Sequence, residues 1–307
     1  MGSPAFAVPS LDALVAAGLA PVAVVTVPDR PAGRRQTMRA SAVKEAAGRH
    51  HIAVLQPETL RDAAFQAELE ALAPDVIAVV AFRILPREVY ETARVGAFNL
   101  HGSLLPAYRG AAPIARALMD GVAETGVTTF LLRPSVDTGD VILVRRTPVG
   151  PDETMGDVHD RLAEIGAAAV VETVRRLASG DAAPQPQDDA QANSAPKLFP
   201  DDARLDWSRP ARCVHDHVRA LSPTPGAWTR LNGETLKVLR TRVAAERGAL
   251  GQPGRVVEAG PRLVVACADG AVEVLDVQRE GKKRMTAAEM LRGAAPAVGD
   301  VLGAPDA

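Results

Sequence analysis

Cysteine is scarce in this chain. Its 307 residues include only two cysteines, Cys213 and Cys267, and they form no CxxC pair. We therefore expect neither a disulfide framework nor a cysteine-based zinc site. His215 and His217 lie close together, but no cysteine or carboxylate grouping beside them completes a metal-binding set. The sequence predicts no metal site.

Long apolar runs and an excess of positive charge are also missing. No apolar run reaches the about 18 residues that a membrane-spanning helix needs, and no basic-then-apolar signal segment opens the chain. The formal net charge of −2 argues against a uniformly basic nucleic-acid-binding protein, although local basic patches are compatible with it. We expect a cytoplasmic protein, acting as a monomer without membrane contact.

The sequence does contain enough apolar residues, 47%, for a sizeable core, and its length favours two domains. Strand-like and helix-like stretches alternate over residues 1–180, which predicts a Rossmann-like α/β domain with a mostly parallel sheet. The predicted strands are 21–27, 52–55, 75–82, 98–101 and 127–132. The predicted helices are 10–17, 41–47, 58–72 and 154–177.

Residues 181–203 have the composition of a linker, rich in Pro, Ala, Gln and Asp and without an apolar period. A helix around 210–221 and five short strands follow within residues 204–307. Short strands separated by turns favour a small β-barrel of the oligonucleotide-binding type, OB-like, although composition alone does not separate a barrel from a sandwich.

A polar pair ends the predicted strand 98–101. Asn99 and His101 are two residues apart, so on a strand they share one face. The carboxyl end of a strand is where open α/β sheets bind ligands. An amide beside an imidazole suits chemistry at a carbonyl, where an oxyanion develops and a proton moves. Alternatively, both side chains cap the strand end through bonds to nearby loop backbone.

An acidic loop follows the strand predicted at 127–132, and it carries Asp137 and Asp140 around Gly139. A carboxylate near an imidazole orients its ring and raises its basicity. Taken by itself, Asp137 is equally well explained as the cap of a turn. Together with Asn99 and His101 it favours a catalytic set.

The chain resembles the folate-dependent formyltransferases, and most closely the branch that formylates initiator tRNA. The resemblance covers nearly the whole chain and is carried by GSPAFAVP at 2–9, VPDRPAGR at 27–34, NLHGSLLP at 99–106, RGAAPI at 109–114, TGVT at 125–128, DTGD at 137–140, LSPTPGAW at 221–228 and GKKRM at 281–285. It implies formyl transfer from 10-formyltetrahydrofolate to the amine of methionine esterified to initiator tRNA.

The same resemblance implies roles for individual residues. The implied catalytic residues are Asn99, His101 and Asp137. The implied folate contacts are Ser103, Leu104, Leu105 and Pro106, together with Arg83 and Leu85 in a segment similar to the pterin pocket of the related glycinamide ribonucleotide formyltransferases. The family's tRNA enzymes often have a small residue at the position of Arg83. Gly102 stands where alanine is usual.

Two basic clusters predict where the tRNA is held despite the acidic balance. The first contains Arg30, Arg34, Arg35, Arg39 and Lys44, and the second contains Lys282, Lys283 and Arg284. Arg35 stands where glycine is frequent in the family. Contacts from such residues to phosphates give binding that weakens steeply with salt. The alternative is that each cluster is an ordinary solvated surface.

The family normally has an apolar strand before the segment that begins at Gly2, and this chain opens almost at that segment. We therefore expect the first strand to be absent, from a truncated or misassigned start. Such a strand would be central, so its loss would leave neighbouring ladder groups unpaired. Alternatively, another segment fills the gap.

Three other functions compete with this interpretation. A formyltransferase acting on a sugar-nucleotide amine would show no tRNA dependence. A non-catalytic RNA-binding protein would use only the barrel, which the intact set of Asn99, His101 and Asp137 argues against. A formyltetrahydrofolate hydrolase would use water as the acceptor, but the sequence shows none of the regulatory domain usual in that family.

Overall fold

A computed structural model describes residues 1–32, 37–293 and 296–303 of the chain. The chain divides into two compact units. Unit 1 comprises Met1–Pro113, Glu124–Thr147 and His159–Ala195. Unit 2 comprises Ile114–Ala123, Pro148–Val158 and Pro196–Ala307.

The strands and helices follow in chain order. The strands are β1 (Ala23–Val25), β2 (Arg30–Ala32), β3 (Thr37–Arg39), β4 (Ala53–Leu55), β5 (Val76–Val80), β6 (Gly96–His101), β7 (Glu124–Leu131), β8 (Val141–Pro148), β9 (Ala227–Leu231), β10 (Glu234–Ala245), β11 (Val256–Ala259), β12 (Leu263–Ala266), β13 (Ala271–Arg279) and β14 (Met285–Thr286). The helices are α1 (Val8–Ala16), α2 (Ala42–Arg49), α3 (Ala63–Ala71), α4 (Arg87–Tyr90), α5 (Pro113–Met119), α6 (Met155–Ser179), α7 (Ala211–Ala220) and α8 (Ala287–Leu291).

Unit 1 is built on parallel strand pairs, β1 with β4 and β5 with β6. Four strands form a sheet of order β5-β6-β7-β8, in which β7 runs antiparallel to β6. The predicted class, α/β with mostly parallel strands, is confirmed. The run VIAVV of β5 explains its place, because β-branched residues on both faces suit a strand covered on both sides.

Met1 and Gly2 lie between β1 and β5. The Gly2 amide donates to the Val25 carbonyl (3.1 Å), and the Val80 amide donates to the Met1 carbonyl (2.9 Å). Gly2 and Val80 thereby form an isolated parallel β-bridge. These two residues therefore link the two strand pairs. An apolar cavity of about 170 Å³ adjoins them, with Leu11 and Val174 among its lining residues.

Local sequence signals set where the helices begin. Ser41 accepts a hydrogen bond from the Lys44 amide at the start of α2, and Asp62 accepts one from the Ala64 amide at the start of α3. The cap at Asp62 explains why α3 starts later than the apolar spacing predicted. Behind these helices, a buried cluster that includes Phe65, Ile77 and Val89 forms a core of unit 1.

Unit 2 contains an antiparallel sheet of order β11-β12-β13-β10-β9, with β14 added to β13. The buried helix α7 and residues such as Trp207, Val238 and Leu263 form its core. The predicted second unit of short strands is confirmed, and its sheet is antiparallel. Strand β14 was not indicated by the sequence patterns. None of the helices in the described ranges is long and apolar enough to cross a membrane.

Candidate active site

Asn99 and His101 lie at the end of β6, as the alternation of side chains along a strand predicts. Asn99 pairs with Val79 of β5 on one side and with Phe130 of β7 on the other. It is half-buried, whereas His101 is buried. Since β5 and β6 are parallel, their carboxyl ends open on the same edge of the sheet. A ligand at that edge meets residues from both.

The His101 ring faces two protein acceptors. Its Nε2 lies 2.8 Å from the Tyr108 carbonyl oxygen, and its Nδ1 lies 3.7 Å from Oδ2 of Asp137. A carbonyl oxygen only accepts, so Nε2 is the nitrogen that carries a proton here. The remaining nitrogen, Nδ1, is directed at the carboxylate. This geometry brings the two residues together, as the sequence predicted, at a spacing slightly longer than a hydrogen bond.

Asp137 is held by its own backbone conformation and by the loop opposite. Its φ is +57°, in the left-handed region, and its Oδ2 accepts a hydrogen bond from the Gly110 amide at 2.8 Å. Two residues on, a Cβ on Gly139 would lie 1.6 Å from the Leu131 carbonyl oxygen. Only glycine fits there, so the loop after β7 is fixed in shape.

The turn after β6 is anchored by polar contacts within unit 1. Ser103 is fully buried and donates from Oγ to the Ala107 carbonyl at 2.6 Å. The Thr128 hydroxyl donates to the Ser103 carbonyl (2.7 Å) and accepts from the Leu105 amide (3.1 Å). Leu104 and Pro106 are half-buried, whereas Ser103 and Leu105 are buried. In this predicted folate-contact turn, Leu104 and Pro106 therefore have the more accessible side chains.

The other predicted folate contacts, Arg83 and Leu85, follow β5. The Arg83 guanidinium donates to the carbonyls of Pro57 (3.0 Å) and Glu58 (2.9 Å) and stacks 5.1 Å from the Phe82 ring centroid. Leu85 belongs to the buried core cluster of unit 1. Both residues have structural contacts in unit 1 whether or not they also touch a ligand.

The predicted tRNA contacts are found in both units. In unit 1, Arg30 and Arg39 pair across the β2–β3 hairpin and are exposed, whereas Lys44 forms an ion pair with Asp29 (2.6 Å). Arg34 and Arg35 lie outside the described residues.

In unit 2, Lys282 and Lys283 are exposed in the turn between β13 and β14. The neighbouring Arg284 forms an ion pair with Asp276 at 2.6 Å. Among the described residues of the two clusters, Lys44 and Arg284 are paired with carboxylates, whereas Arg30, Arg39, Lys282 and Lys283 are exposed.

One group of residues beside the site was missed by the sequence patterns. The segment 185–195, part of the predicted linker, contacts the loops of unit 1 that carry Tyr108 and Asp137. Gln187 donates to the carbonyls of Asp137 (2.9 Å) and Gly139 (2.7 Å), and Asn193 accepts from the Tyr108 amide. Its polar composition gave no signal, because these partners are remote in sequence.

An imidazole and a carboxylate thus face each other at 3.7 Å at the end of β6, two residues from the amide of Asn99. These groups suit chemistry at a carbonyl. Among the described residues, no cluster of His, Cys, Asp and Glu could hold a metal ion.

Comparison with known proteins identifies the family. A family model described as formyl transferase matches residues 1–174, and one for the formyl transferase C-terminal domain matches residues 197–295. The chain belongs to the formyl transferase family.

Curated relatives match over nearly their full lengths. A methionyl-tRNA formyltransferase from Moorella thermoacetica is 46% identical over 305 residues, 99% of this chain and 98% of the relative. One from Chlorobium luteolum is 48% identical over 303 residues, 97% and 96% of the two chains. Thus both units of the chain have counterparts in single relatives.

Solved structures share the fold. The N-formyltransferase of Helicobacter canadensis, in complex with folinic acid and dTDP-3-aminofucose, aligns with a TM-score of 0.67 at 17% identity, covering 91% of this chain and 97% of that one. HypX from Aquifex aeolicus, in complex with tetrahydrofolic acid, aligns with a TM-score of 0.60 at 24% identity, covering 80% and 43%.

Proposed function

We propose that the protein transfers the formyl group of 10-formyltetrahydrofolate to the free amine of methionine on initiator tRNA. The observation that carries the proposal is the buried pairing of His101 with Asp137 beside Asn99 at the end of β6. Near full-length identity to proteins named methionyl-tRNA formyltransferase supports the choice of acceptor over a sugar-nucleotide amine.

In this reaction the amine of the methionyl ester attacks the formyl carbon of the folate cosubstrate. The bond from that carbon to N10 of the folate then breaks, and tetrahydrofolate leaves with a proton on N10 in place of the one that the amine loses. Negative charge develops on the formyl oxygen. The Asn99 carboxamide, half-buried at the sheet edge, donates a hydrogen bond to that oxygen. Such a donor is worth on the order of 10² to 10³ in rate, because it strengthens as the charge grows.

His101 and Asp137 manage the proton that the amine loses. The Nε2 proton of His101 is held by the Tyr108 carbonyl, so Nδ1 is the nitrogen open to accept a proton. A proton on Nδ1 faces the Asp137 carboxylate, which stabilises the imidazolium. For His101 to donate to the formyl oxygen as well, its Nε2 must leave Tyr108. General acid–base catalysis of this kind contributes roughly 10² to 10⁴ in rate.

Substrate binding is assigned to the surrounding segments. The turn 103–106 and the segment 82–86 contact the folate, with Leu104 and Pro106 as the accessible groups of the turn. Unit 2 and the exposed cations Arg30, Arg39, Lys282 and Lys283 hold the tRNA through its phosphates. An OB-like barrel in unit 2 fits that role, since such barrels bind oligonucleotides. The enzyme acts in the cytoplasm as a monomer.

A transfer assay tests the proposal directly. The protein is incubated with formyl-labelled 10-formyltetrahydrofolate and with methionyl initiator tRNA, uncharged initiator tRNA, a dTDP-amino sugar or buffer alone. Label transferred only to charged tRNA is the expected result. Transfer to the amino sugar would identify a sugar formyltransferase, and formate released equally without acceptor would identify a hydrolase.

A further inference from the structure

We propose that Gln187, in the segment 185–195, is a positioning residue that holds Asp137 against His101. The inference rests on the proposed function for its kinetic consequence, but not for its geometry. The observation behind it is a single side chain bonded to both loops that complete the site.

All four hydrogen-bonding positions of the Gln187 carboxamide are used. Its Nε2 donates to the carbonyls of Asp137 (2.9 Å) and Gly139 (2.7 Å), and its Oε1 accepts from Nη2 (2.7 Å) and Nε (3.1 Å) of Arg109. A carboxamide has two donor hydrogens and two acceptor lone pairs, so the group is fully satisfied. Such a network fixes the position of every member.

The two loops that Gln187 joins are those that contact His101. Arg109 stands between Tyr108, whose carbonyl accepts from His101 Nε2, and Gly110, whose amide donates to Asp137 Oδ2. Asp137 has a left-handed backbone, a conformation that carries a cost for a residue with a Cβ. The bonds from Gln187 to the carbonyls of Asp137 and Gly139 oppose relaxation of that conformation.

The rest of the segment keeps Gln187 in place. The Arg109 guanidinium also binds Asp189 (2.7 Å), the Arg109 amide donates to the Asn193 carbonyl (3.0 Å), and the Ala195 amide donates to the Arg109 carbonyl (2.6 Å). A Cβ on Gly110 would lie 2.6 Å from the Ala195 carbonyl oxygen, so backbone approaches backbone closely here. The segment therefore acts on the loops directly and not as a free spacer.

Substitution of Gln187 separates positioning from binding. Gln187→Glu keeps the shape and the Arg109 contact but replaces the NH2 group, which donates both hydrogen bonds, with one oxygen that repels the carbonyls of Asp137 and Gly139. Misplacement of a catalytic group by about 1 Å lowers rates by on the order of 10²-fold. We expect kcat to fall by about that factor, with KM for both substrates unchanged. Gln187→Met, neutral and of similar size, should behave in the same way.

Gln185→Leu is the matched control, because among the described residues the Gln185 side chain donates a hydrogen bond only to the Ala183 carbonyl, two residues earlier in the chain. It should keep the wild-type kcat. Wild-type kcat in both Gln187 variants would overturn the inference and leave the proposed function standing. A rise in KM with unchanged kcat would also overturn it, since that result assigns Gln187 to substrate binding.

A spectroscopic readout tests the geometry without turnover. Long-range ¹H–¹⁵N spectra report the ring nitrogens of His101, assigned by the signal that His101→Gln removes. Gln187→Glu should shift the His101 signals and Gln185→Leu should not, at equal melting temperature. If the wild type transfers no formyl group, this comparison still decides the inference, and unchanged His101 signals would refute it.

Discussion

His101 Nδ1 and Asp137 Oδ2 lie 3.7 Å apart, with both side chains at most 10% exposed, although they come from different strand ends. The Gly110 amide, 2.8 Å from the same Oδ2, fixes the carboxylate from the other side. The spacing of this pair therefore depends on three loops at once. Changes that move any of them should reduce the rate before they reduce substrate binding.

Gly139→Ala should disrupt the Asp137 loop. The added methyl group would meet the Leu131 carbonyl oxygen at 1.6 Å, so the loop or β7 must move. We expect a loss of about 1–3 kcal/mol in the free energy of unfolding and a large loss of kcat. Urea unfolding and formyl transfer measure the two effects.

A matched substitution on the surface controls for the change of glycine to alanine. Gly48, inside α2, has open space around its Cβ position. Gly48→Ala should leave activity unchanged and stabilise the protein by up to about 1 kcal/mol through helix propensity. Equal stability and equal activity in the two variants would show that the loop after β7 tolerates a side chain.

The exposed cations should determine how salt affects tRNA use. Lys282→Ala with Lys283→Ala should raise KM for tRNA and reduce the slope of log KM against log salt by about 0.7–0.9 for each lost phosphate contact. Arg34→Ala with Arg35→Ala tests the other cluster in the same way. Arg262→Ala is the control, because Arg262 pairs with Glu258 at 2.6 Å. An unchanged slope would show that the substituted residues contact no tRNA phosphate.

Much of the fold was predictable because its signals are local. The buried run of β5, the polar pair on β6 and the apolar spacing of α6 all follow from side-chain periodicity. Strand β8 was not predicted, since its sequence VILVRRTP loses the apolar pattern halfway along. The strands β2 and β3 are only three residues each and contain a proline and two arginines, so no period marks them.

The candidate site was predictable only for residues whose side chains are of types common in catalysis and which follow predicted strands. Asn99, His101 and Asp137 stood out as an amide, an imidazole and a carboxylate after strands. The carbonyl of Tyr108 and the side chain of Gln187 did not, because the role of each is a hydrogen bond to a residue remote in sequence. Backbone acceptors and single polar contacts of this kind have no sequence period.

Stability should fall in mild acid through His215, a buried histidine of unit 2. Its Nε2 donates to the Pro151 carbonyl (2.9 Å) and its Nδ1 lies 3.0 Å from the Thr241 hydroxyl. Burial lowers the pKa of His215 from its ordinary value, and the Pro151 carbonyl and nearby carboxylates offset this only in part. The unfolded chain therefore binds a proton below pH about 6.5 more readily than the folded one.

Because of this pKa difference, the free energy of unfolding should decrease as pH falls from about 6.5 towards the lowered pKa, by up to about 1.4 kcal/mol per pH unit for this one proton. Urea unfolding between pH 8 and pH 5 measures the slope. His215→Gln should reduce the slope of the free energy of unfolding against pH by the contribution of up to one proton. An identical slope in the variant would show that His215 does not contribute.

Cys267 should be inert to thiol reagents in the folded protein. It is fully buried, and burial raises the pKa of its thiol to about 12. The thiolate is the reactive form, so modification at pH 8 requires unfolding. A thiol-reactive dye should label Cys213 alone in the native protein and both cysteines in denaturant. If the folded Cys213→Ser variant still reacted rapidly with the dye, the result would contradict the buried position of Cys267.

Single-turnover formyl transfer by Asp137→Asn tests the account most directly. Asparagine also adopts the left-handed backbone, so this variant should fold normally while removing the charge that faces His101. Saturating methionyl initiator tRNA and 10-formyltetrahydrofolate isolate the chemical step, and Asp140→Asn in the same loop serves as control. We predict a rate lowered by roughly 10²- to 10⁴-fold in Asp137→Asn and a near-normal rate in Asp140→Asn. Wild-type rates in both variants would contradict the assignment of His101 and Asp137 as the catalytic pair.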